Sequence, residues 1–65
     1  MPLVHVYVLE GRTNDQKREL VQEMTRVMVE VMGSRKERVN VLIHESEATT
    51  WAVGGQLLAE EERGS

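Results

Sequence analysis

A long amphipathic segment, residues 14–32, lies between two short apolar segments, and this order constrains the fold more than any other feature. Thr13 and Gln16 have the spacing of a helix capping box, and Gly33 is typical of a residue that ends a helix. At 1.5 Å per residue the helix is about 28 Å long, enough to run back along a strand. Its predicted core-facing stripe covers an arc of about 140° and comprises Leu20, Val21, Met24, Val27, Met28, Val31 and Met32.

The flanking segments have the pattern of β-strands. In the first, Leu3–Leu9, valines at 4, 6 and 8 lie on one face, and Leu3, His5, Tyr7 and Leu9 lie on the other. The second is predicted over Val39–Glu45. Strand, long helix and strand predict an α/β fold with a single βαβ unit, a parallel strand pair and a right-handed crossover. Residues 51–58, with a Gly-Gly pair at the centre, predict a short hairpin or a lid-like turn.

The chain has 65 residues and no cysteine, so we expect one domain over residues 1–65, with a polar tail at 59–65 that is frayed from residue 60. A domain of this size buries only about 60% of its unfolded surface. One helix covers one face of a two-stranded sheet, yet both faces of the first strand are apolar. We therefore expect an obligate oligomer in which two subunits pair at their edges into a four-stranded sheet.

Composition excludes several classes of partner. The net charge is −3 and the basic residues form no stripe, which argues against nucleic acid. The longest apolar run, about seven residues, is far short of the roughly 20 that span a bilayer. With no signal-peptide pattern and no cysteine, the expected location is the cytoplasm. His5 and His44 have no third ligand at a recognisable spacing, so the prediction is packed or interfacial histidines and no metal site.

The two ends of the first strand carry the candidate chemistry. Met1 is normally removed when the next residue is as small as proline, and Pro2 would then carry a free secondary amine. Arg12 stands at the far end, more than about 20 Å away. If both residues act on one small molecule, the site must be shared between subunits. The alternatives are that Pro2 merely opens the strand and that Arg12 is an ordinary loop arginine.

These features together resemble the 4-oxalocrotonate tautomerase family. The resemblance rests on the proline after Met1, the strand that ends in Leu9-Glu10-Gly11-Arg12, the long helix, the second strand and the late turn WAVGG. It extends from Pro2 to about residue 57. It implies small βαβ subunits, usually assembled as hexamers from three dimers, that use an amino-terminal proline as general base or acid without a cofactor.

The resemblance also implies roles for individual residues. Pro2 is the proton-transfer residue and Arg12 binds a substrate carboxylate. Trp51 takes the place of a phenylalanine that forms an apolar wall near the proline, although a lone tryptophan in a short chain is more often core or interface. Asn40 stands where the founding members have a second arginine, at the start of the second strand. The implied activity is a tautomerase for a small 2-hydroxy-dienoate or 2-oxo acid, with a place in aromatic-compound catabolism.

The chemistry is consistent with the residues themselves. Proton transfer is most efficient when the pKa of the base lies near the working pH. An α-amino group titrates near 7.7 to 8.0, and burial beside a cation lowers that pKa further. Two alternatives remain open. The first is a haloacrylate hydratase or dehalogenase, an activity for which some relatives use a glutamate at the position of Val53. The second is a catalytically impaired subunit of a hetero-oligomer.

Overall fold

Two parallel strands and one long helix form the body of the protein. A computed structural model describes residues 2–60. The elements are β1 (Leu3–Leu9), α1 (Asn14–Met32), β2 (Asn40–Ser46), β3 (Ala52–Val53) and β4 (Gln56–Leu57). Strands β1 and β2 pair in parallel, and β3 and β4 form a separate antiparallel hairpin. The predicted α/β fold, a βαβ unit with a short C-terminal hairpin, is confirmed.

Helix α1 begins and ends where its capping residues predict. The Thr13 hydroxyl accepts a bond from the Gln16 N–H at 3.1 Å, and the Gln16 side chain accepts one from the Thr13 N–H at 2.9 Å. Gly33 has φ 70°, and the N–H groups of Gly33 and Ser34 donate to the carbonyls of Val29 and Met28. This left-handed turn satisfies carbonyls that would otherwise lack a partner at the helix end.

Ion pairs line the outer surface of α1. Arg26 donates hydrogen bonds to both Glu23 and Glu30 at 2.8 Å, and the second contact is an i,i+4 pair. The hydrogen bond that Arg26 donates to Glu23, together with the charges of both carboxylates, raises the pKa of Arg26. This face of the helix is therefore charged and lies away from the sheet.

Replacement of the helix cap should lower stability measurably. Thr13→Ala removes the side-chain half of the capping box, and we expect a loss of about 1 kcal/mol in the free energy of unfolding. Thr13→Ser, which keeps the hydroxyl, should stay within about a few tenths of a kcal/mol of the unmodified protein. Denaturant unfolding at one fixed protein concentration measures both. Equal losses in the two variants would contradict a role for the hydroxyl.

The predicted second strand lies one residue too early in the chain. The Val39 N–H donates to the Lys36 carbonyl at 3.3 Å and closes a 3-10 turn over Lys36–Arg38. The ladder with β1 begins at Asn40, whose N–H donates to the Pro2 carbonyl at 3.0 Å. At the far end the Ser46 carbonyl accepts a bond from the Glu10 N–H at 2.9 Å. The strand runs over Asn40–Ser46 instead of Val39–Glu45.

The two faces of the sheet differ in their exposure. Beneath α1 the side chains of Val4, Val6, Val8, Val41 and Ile43 are half-buried. On the other face, which α1 leaves uncovered, large side chains are open to solvent: 52% of Leu3, 64% of Tyr7 and 47% of Leu42. We call this surface the open sheet face; it consists of Leu3, His5, Tyr7, Leu9, Asn40, Leu42, His44 and Ser46.

The predicted stripe of α1 is only partly covered by its own sheet. Leu20, Val21, Met24 and Met28 are half-buried, but Val27, Val31 and Met32 are exposed. A 19-residue helix is about 28 Å long, whereas a seven-residue strand is about 23 Å. Two strands are also too narrow to cover a 140° arc, so the last turn and one edge of the stripe lie outside the sheet.

Residues 51–58 form the predicted hairpin. Gly54 and Gly55 occupy its two turn positions with φ 62° and 85°, the signs that a two-residue type I′ turn requires. Residues 58–60, which include the first two positions of the predicted polar tail, are helical. The rest of that tail, residues 61–65, and Met1 lie outside the described residues. Within residues 2–60 we find no helix with the length and hydropathy of a membrane span.

The chain has more surface than a compact monomer of its size. A monomer of 7.4 kDa exposes about 4,200 Å², whereas this chain exposes 5227 Å². Its radius of gyration is 15.4 Å, against about 11 Å for a compact domain of this length. Among residues 2–60 no side chain is fully buried. The surplus of about 1,000 Å² is comparable to one side of a standard protein–protein interface.

Candidate active site

Pro2 and Asn40 lie side by side at one end of the sheet. The Asn40 N–H donates to the Pro2 carbonyl at 3.0 Å, and Asn40 is the register partner of Leu3. Pro2 is half-buried. Because its carbonyl is held by the ladder and its φ is restricted by the ring, the proline nitrogen is fixed at the sheet end.

The side chain of Asn40 is held in place by the preceding turn. Its amide nitrogen donates to the Arg38 carbonyl at 3.2 Å. An amide group has two N–H bonds and one acceptor oxygen, so a second N–H and the oxygen are left for a ligand at the proline end. The contact with Arg38 was not predicted, because it depends on the 3-10 turn Lys36–Arg38 that positions this carbonyl.

Arg12 and Trp51 lie toward the opposite end of the sheet. Arg12 is exposed between Gly11, whose φ is 118°, and the helix cap Thr13. Trp51 follows β2 by five residues, three of them in the 3-10 turn Ala48–Thr50, a connection that spans at most about 13 Å. The Trp51 carbonyl accepts a bond from the Leu58 N–H at 2.9 Å, which ties it to the hairpin.

The four candidate residues therefore form two separate pairs within one chain. Strand β1 runs without interruption over Leu3–Leu9 and separates the pairs by about 20 Å. The connection that precedes Trp51 is too short to return it to Pro2. One chain brings Pro2 together with Asn40, but brings neither of them together with Arg12 or Trp51.

Several apolar side chains of the chain are open to solvent. Helix α1 starts near the Arg12 end, where Lys17 Nζ lies 2.9 Å from Glu45 Oε1. Val31 and Met32, in its last turn, are 74% and 67% exposed, and Leu3, next to Pro2 in the chain, is 52% exposed. The described residues of the chain therefore leave these three side chains uncovered.

A cluster of rings on the open sheet face was only partly anticipated. His5 Nδ1 and His44 Nε2 are 2.8 Å apart and share a hydrogen bond, while the Tyr7 ring stacks on His44 with a centroid distance of 4.4 Å. The sequence predicted packed or interfacial histidines but not their contact. The parallel register, which pairs Tyr7 with His44, is the signal that could have found it.

Metal coordination has no support in the part of the chain that the structure describes. Over residues 2–60 no three His, Cys, Asp or Glu side chains are grouped closely enough to hold an ion. The candidate residues Asn40 and Arg12 supply an amide and a guanidinium, groups that can bind a carboxylate.

Comparison with known proteins gives a consistent result. The family model described as "Tautomerase enzyme" matches residues 2–61. The chain is 42% identical over 62 residues to the 2-hydroxymuconate tautomerase of Bacillus subtilis (strain 168), an alignment that covers 95% of this chain and all of that protein.

Solved structures extend the similarity to the fold. A 4-oxalocrotonate tautomerase isozyme from Methylibium petroleiphilum superposes with a TM-score of 0.94 at 33% identity, covering 98% of this chain and all of the other. A heterohexamer 4-oxalocrotonate tautomerase from Chloroflexus aurantiacus J-10-fl gives a TM-score of 0.87 at 33% identity, covering 92% of this chain and 97% of its own.

Proposed function

The chain belongs to the tautomerase family of isomerases, and from this premise we propose that it is a cofactor-independent tautomerase with Pro2 as the proton-transfer residue. The proposed substrate is a small 2-hydroxy-dienoate or 2-oxo acid. The bond from the Asn40 N–H to the Pro2 carbonyl carries the proposal, because it fixes the proline ring at a sheet end beside a ligand-binding amide.

The proposed reaction needs no group beyond the chain itself. After removal of Met1, the Pro2 nitrogen is a secondary amine with a free electron pair. It takes the proton of the enol hydroxyl, and the electron pair of the O–H bond forms the carbon–oxygen double bond. The electron pair of the carbon–carbon double bond moves onto the carbon that is to be protonated. The protonated amine then gives its proton to that carbon, so the nitrogen returns to its starting state. One residue serves as base and acid in a single turnover.

Arg12 in this proposal comes from a different subunit. Its planar guanidinium can bind both oxygens of a substrate carboxylate, but it lies about 20 Å from the Pro2 of its own chain. A homo-oligomer that brings the two sheet ends together completes the site, with Trp51 as an apolar wall. The surface surplus of about 1,000 Å² supports such an assembly. We propose a hexamer of three dimers, each dimer with a four-stranded sheet.

A second candidate is a subunit that is active only with a different partner chain. The Chloroflexus aurantiacus relative is a heterohexamer, and in this chain a neutral amide, Asn40, stands at the proline end. Haloacrylate hydration finds less support, because Val53 offers no base to activate water. Location in the cytoplasm and a role in aromatic-compound catabolism stay predictions.

The proposal is tested by the rate at which the purified chain converts an enol to its keto form. Phenylenolpyruvate and 2-hydroxymuconate serve as substrates, and loss of enol absorbance reports the reaction. We expect catalysis by the chain alone, without added metal or cofactor. No activity of the assembled protein on either enol would contradict the proposed function and favour the hetero-oligomer.

Asn40 should set the preference between these two acids. Its amide can donate a hydrogen bond but brings no charge, and a bond to a charged donor contributes about 1.5 to 3 kcal/mol against about 0.5 to 1.5 for a neutral one. The difference corresponds to about one order of magnitude in rate. We expect a preference for the monocarboxylate phenylenolpyruvate, and expect Asn40→Arg to shift the ratio of kcat/KM values about tenfold toward the dicarboxylate.

Asn40→Leu is the matched control, because it removes the hydrogen bond without adding a charge. It should lower activity on both acids and leave their ratio nearly unchanged. An unmodified protein that already prefers 2-hydroxymuconate strongly, with no shift in Asn40→Arg, would show that this position does not select the substrate.

A further inference from the structure

One ion pair joins helix α1 to the sheet. Lys17 Nζ lies 2.9 Å from Glu45 Oε1, and 28 positions of the chain separate the two residues. Their side chains are only 28% and 33% exposed. Every other ion pair within residues 2–60 is more than half exposed and joins residues of one helix or one turn. In the described part of the chain, the Lys17–Glu45 pair is therefore the one ionic contact that depends on the tertiary fold.

The pair lies below the connection that carries Arg12. On the helix side, the Lys17 N–H donates to the Thr13 carbonyl at 3.1 Å, and Arg12 directly precedes Thr13. One helical turn and one peptide unit therefore separate the Cα atoms of Arg12 and Lys17 by at most about 10 Å. On the strand side, the Glu10 N–H donates to the carbonyl of the residue that follows Glu45. Arg12 and Glu45 are thus linked closely on both sides, and their side chains are long enough to meet.

The guanidinium of Arg12 is nevertheless left open. Three glutamates of the strands and their connections lie at this end of the sheet: Glu10, Glu45 and Glu47. Glu45 is held by Lys17, and the Glu47 carboxylate accepts a bond from the Thr49 hydroxyl at 3.1 Å. No acidic side chain of residues 2–60 lies within ion-pair distance of Arg12. The arginine is therefore available to an anion from outside the chain.

We propose that Lys17 is a positioning residue for substrate binding, because it holds Glu45 and so keeps this carboxylate from occupying the guanidinium of Arg12. The inference rests on the proposed function in that Arg12 binds the substrate carboxylate. Lys17, Glu45 and Arg12 belong to one subunit, so the effect is the same whichever neighbour supplies the proline.

Without Lys17, Glu45 becomes an internal competitor of the substrate. Both offer a carboxylate to the same planar fork of donors. The substrate then binds only to the fraction of subunits in which Arg12 is open, and its apparent affinity falls in proportion to that fraction. Competition of this kind raises KM and leaves kcat unchanged, because the bound complex is the same as in the unmodified protein.

The central variant is Lys17→Met, which keeps the aliphatic stem and removes the charge. On phenylenolpyruvate we expect KM to rise about fivefold, equivalent to about 1 kcal/mol, the upper value for an exposed ion pair. Glu45→Ala should leave KM unchanged, and the double variant Lys17→Met, Glu45→Ala should return KM to the unmodified value. The methyl ester of the same enol has no carboxylate for Arg12, so its KM should be the same with Lys17 and with Met at this position.

Two further variants separate the contact from the net charge. The double variant Lys17→Met, Glu10→Ala has the same net charge as the double variant at Glu45 but keeps the competing carboxylate. Its KM should stay raised, whereas an effect of net charge alone would be reversed by either alanine. Lys17→Arg, which keeps a cation opposite Glu45, should behave like the unmodified protein.

The outcomes distinguish this inference from the proposed function. An Arg12→Ala variant with unchanged kinetics contradicts the role of Arg12, and this inference with it. A loss in Arg12→Ala together with an unchanged KM in Lys17→Met overturns this inference alone. Equal losses in Lys17→Met and Glu45→Ala also overturn it, because they would show that the pair only fastens the helix to the sheet.

Circular dichroism and sedimentation establish that each variant is folded and assembled before its kinetics are compared. If Lys17→Met fails to fold, Lys17→Gln takes its place. Glutamine keeps a donor toward Glu45 but leaves the carboxylate charge unbalanced, so KM should rise in the same direction. An unchanged KM in Lys17→Gln would then overturn the inference.

Discussion

A synthetic chain that begins at Pro2 should convert phenylenolpyruvate at least about 100-fold faster than a synthetic chain that keeps Met1. With Met1 present the proline nitrogen is part of a peptide bond and has no basicity. Loss of a positioned general base or acid typically lowers the rate by about 10² to 10⁴. Chemical synthesis is practical for 65 residues and makes the two chains identical apart from one residue. Initial rates at equal subunit concentration measure the difference.

Two controls make this comparison specific. Sedimentation shows whether both chains assemble, because an extra residue at the sheet end could also disturb packing. Pro2→Ala, which presents a primary amine, should keep part of the activity that the chain with Met1 lacks. Equal rates for the chains with and without Met1, both assembled, would rule out the proline amine as the base.

Arg12→Ala should lower kcat/KM on carboxylate enols by about 100-fold. A charge-assisted contact with both carboxylate oxygens contributes up to about 3 kcal/mol, and each 1.4 kcal/mol corresponds to a factor of ten. Arg12→Lys should recover only part of the loss, because an ammonium group lacks the planar fork. Steady-state rates on phenylenolpyruvate measure both variants.

Arg18→Ala is the matched control for a general loss of positive charge. Arg18 is an exposed arginine near the start of α1, and its partner is Asp15 in the same helix. Its removal should leave kcat/KM within about twofold, since an exposed ion pair contributes at most about 1 kcal/mol and here to stability only. Similar losses in the Arg12 and Arg18 variants would show that Arg12 does not bind the substrate specifically.

The helix and the strand order were predictable because local signals agree with the tertiary fold. Thr13, Gln16 and Gly33 define the bounds of α1 through bonds within a few residues. The alternation of side chains in β1 predicts a strand, and the helix is long enough to return the chain to the start of that strand. The second strand then pairs in parallel with the first. The Gly54-Gly55 turn was also predictable from the local sequence, since both residues have a positive φ, which glycine adopts readily.

The start of β2 and the limits of the core were not predictable from local pattern. Val39 has the side chain of a strand residue, but its N–H is taken by the Lys36 carbonyl. Val27 and Val31 match the helical stripe, yet the sheet beneath is too small to cover them. Both differences depend on contacts with residues elsewhere in the fold, and the periodic spacing of apolar residues carries no information about such contacts.

The candidate site was also predictable only in part. The parallel order of β1 and β2 implied that Pro2 and Asn40 share one sheet end, and the bond from the Asn40 N–H to the Pro2 carbonyl agrees with this. The bond from Asn40 to the Arg38 carbonyl and the contact of His5 with His44 could not be predicted, because they depend on side-chain rotamers.

Mixing two impaired variants tests the shared site most directly. Pro2→Ala and Arg12→Ala chains are unfolded together in equal amounts, refolded, and compared with each variant refolded alone. If one site takes Pro2 from one subunit and Arg12 from another, random assembly restores about a quarter of the sites. We predict activity close to a quarter of that of the unmodified protein, well above either variant. A mixed sample no more active than the mean of the two variants would contradict a site built from two subunits.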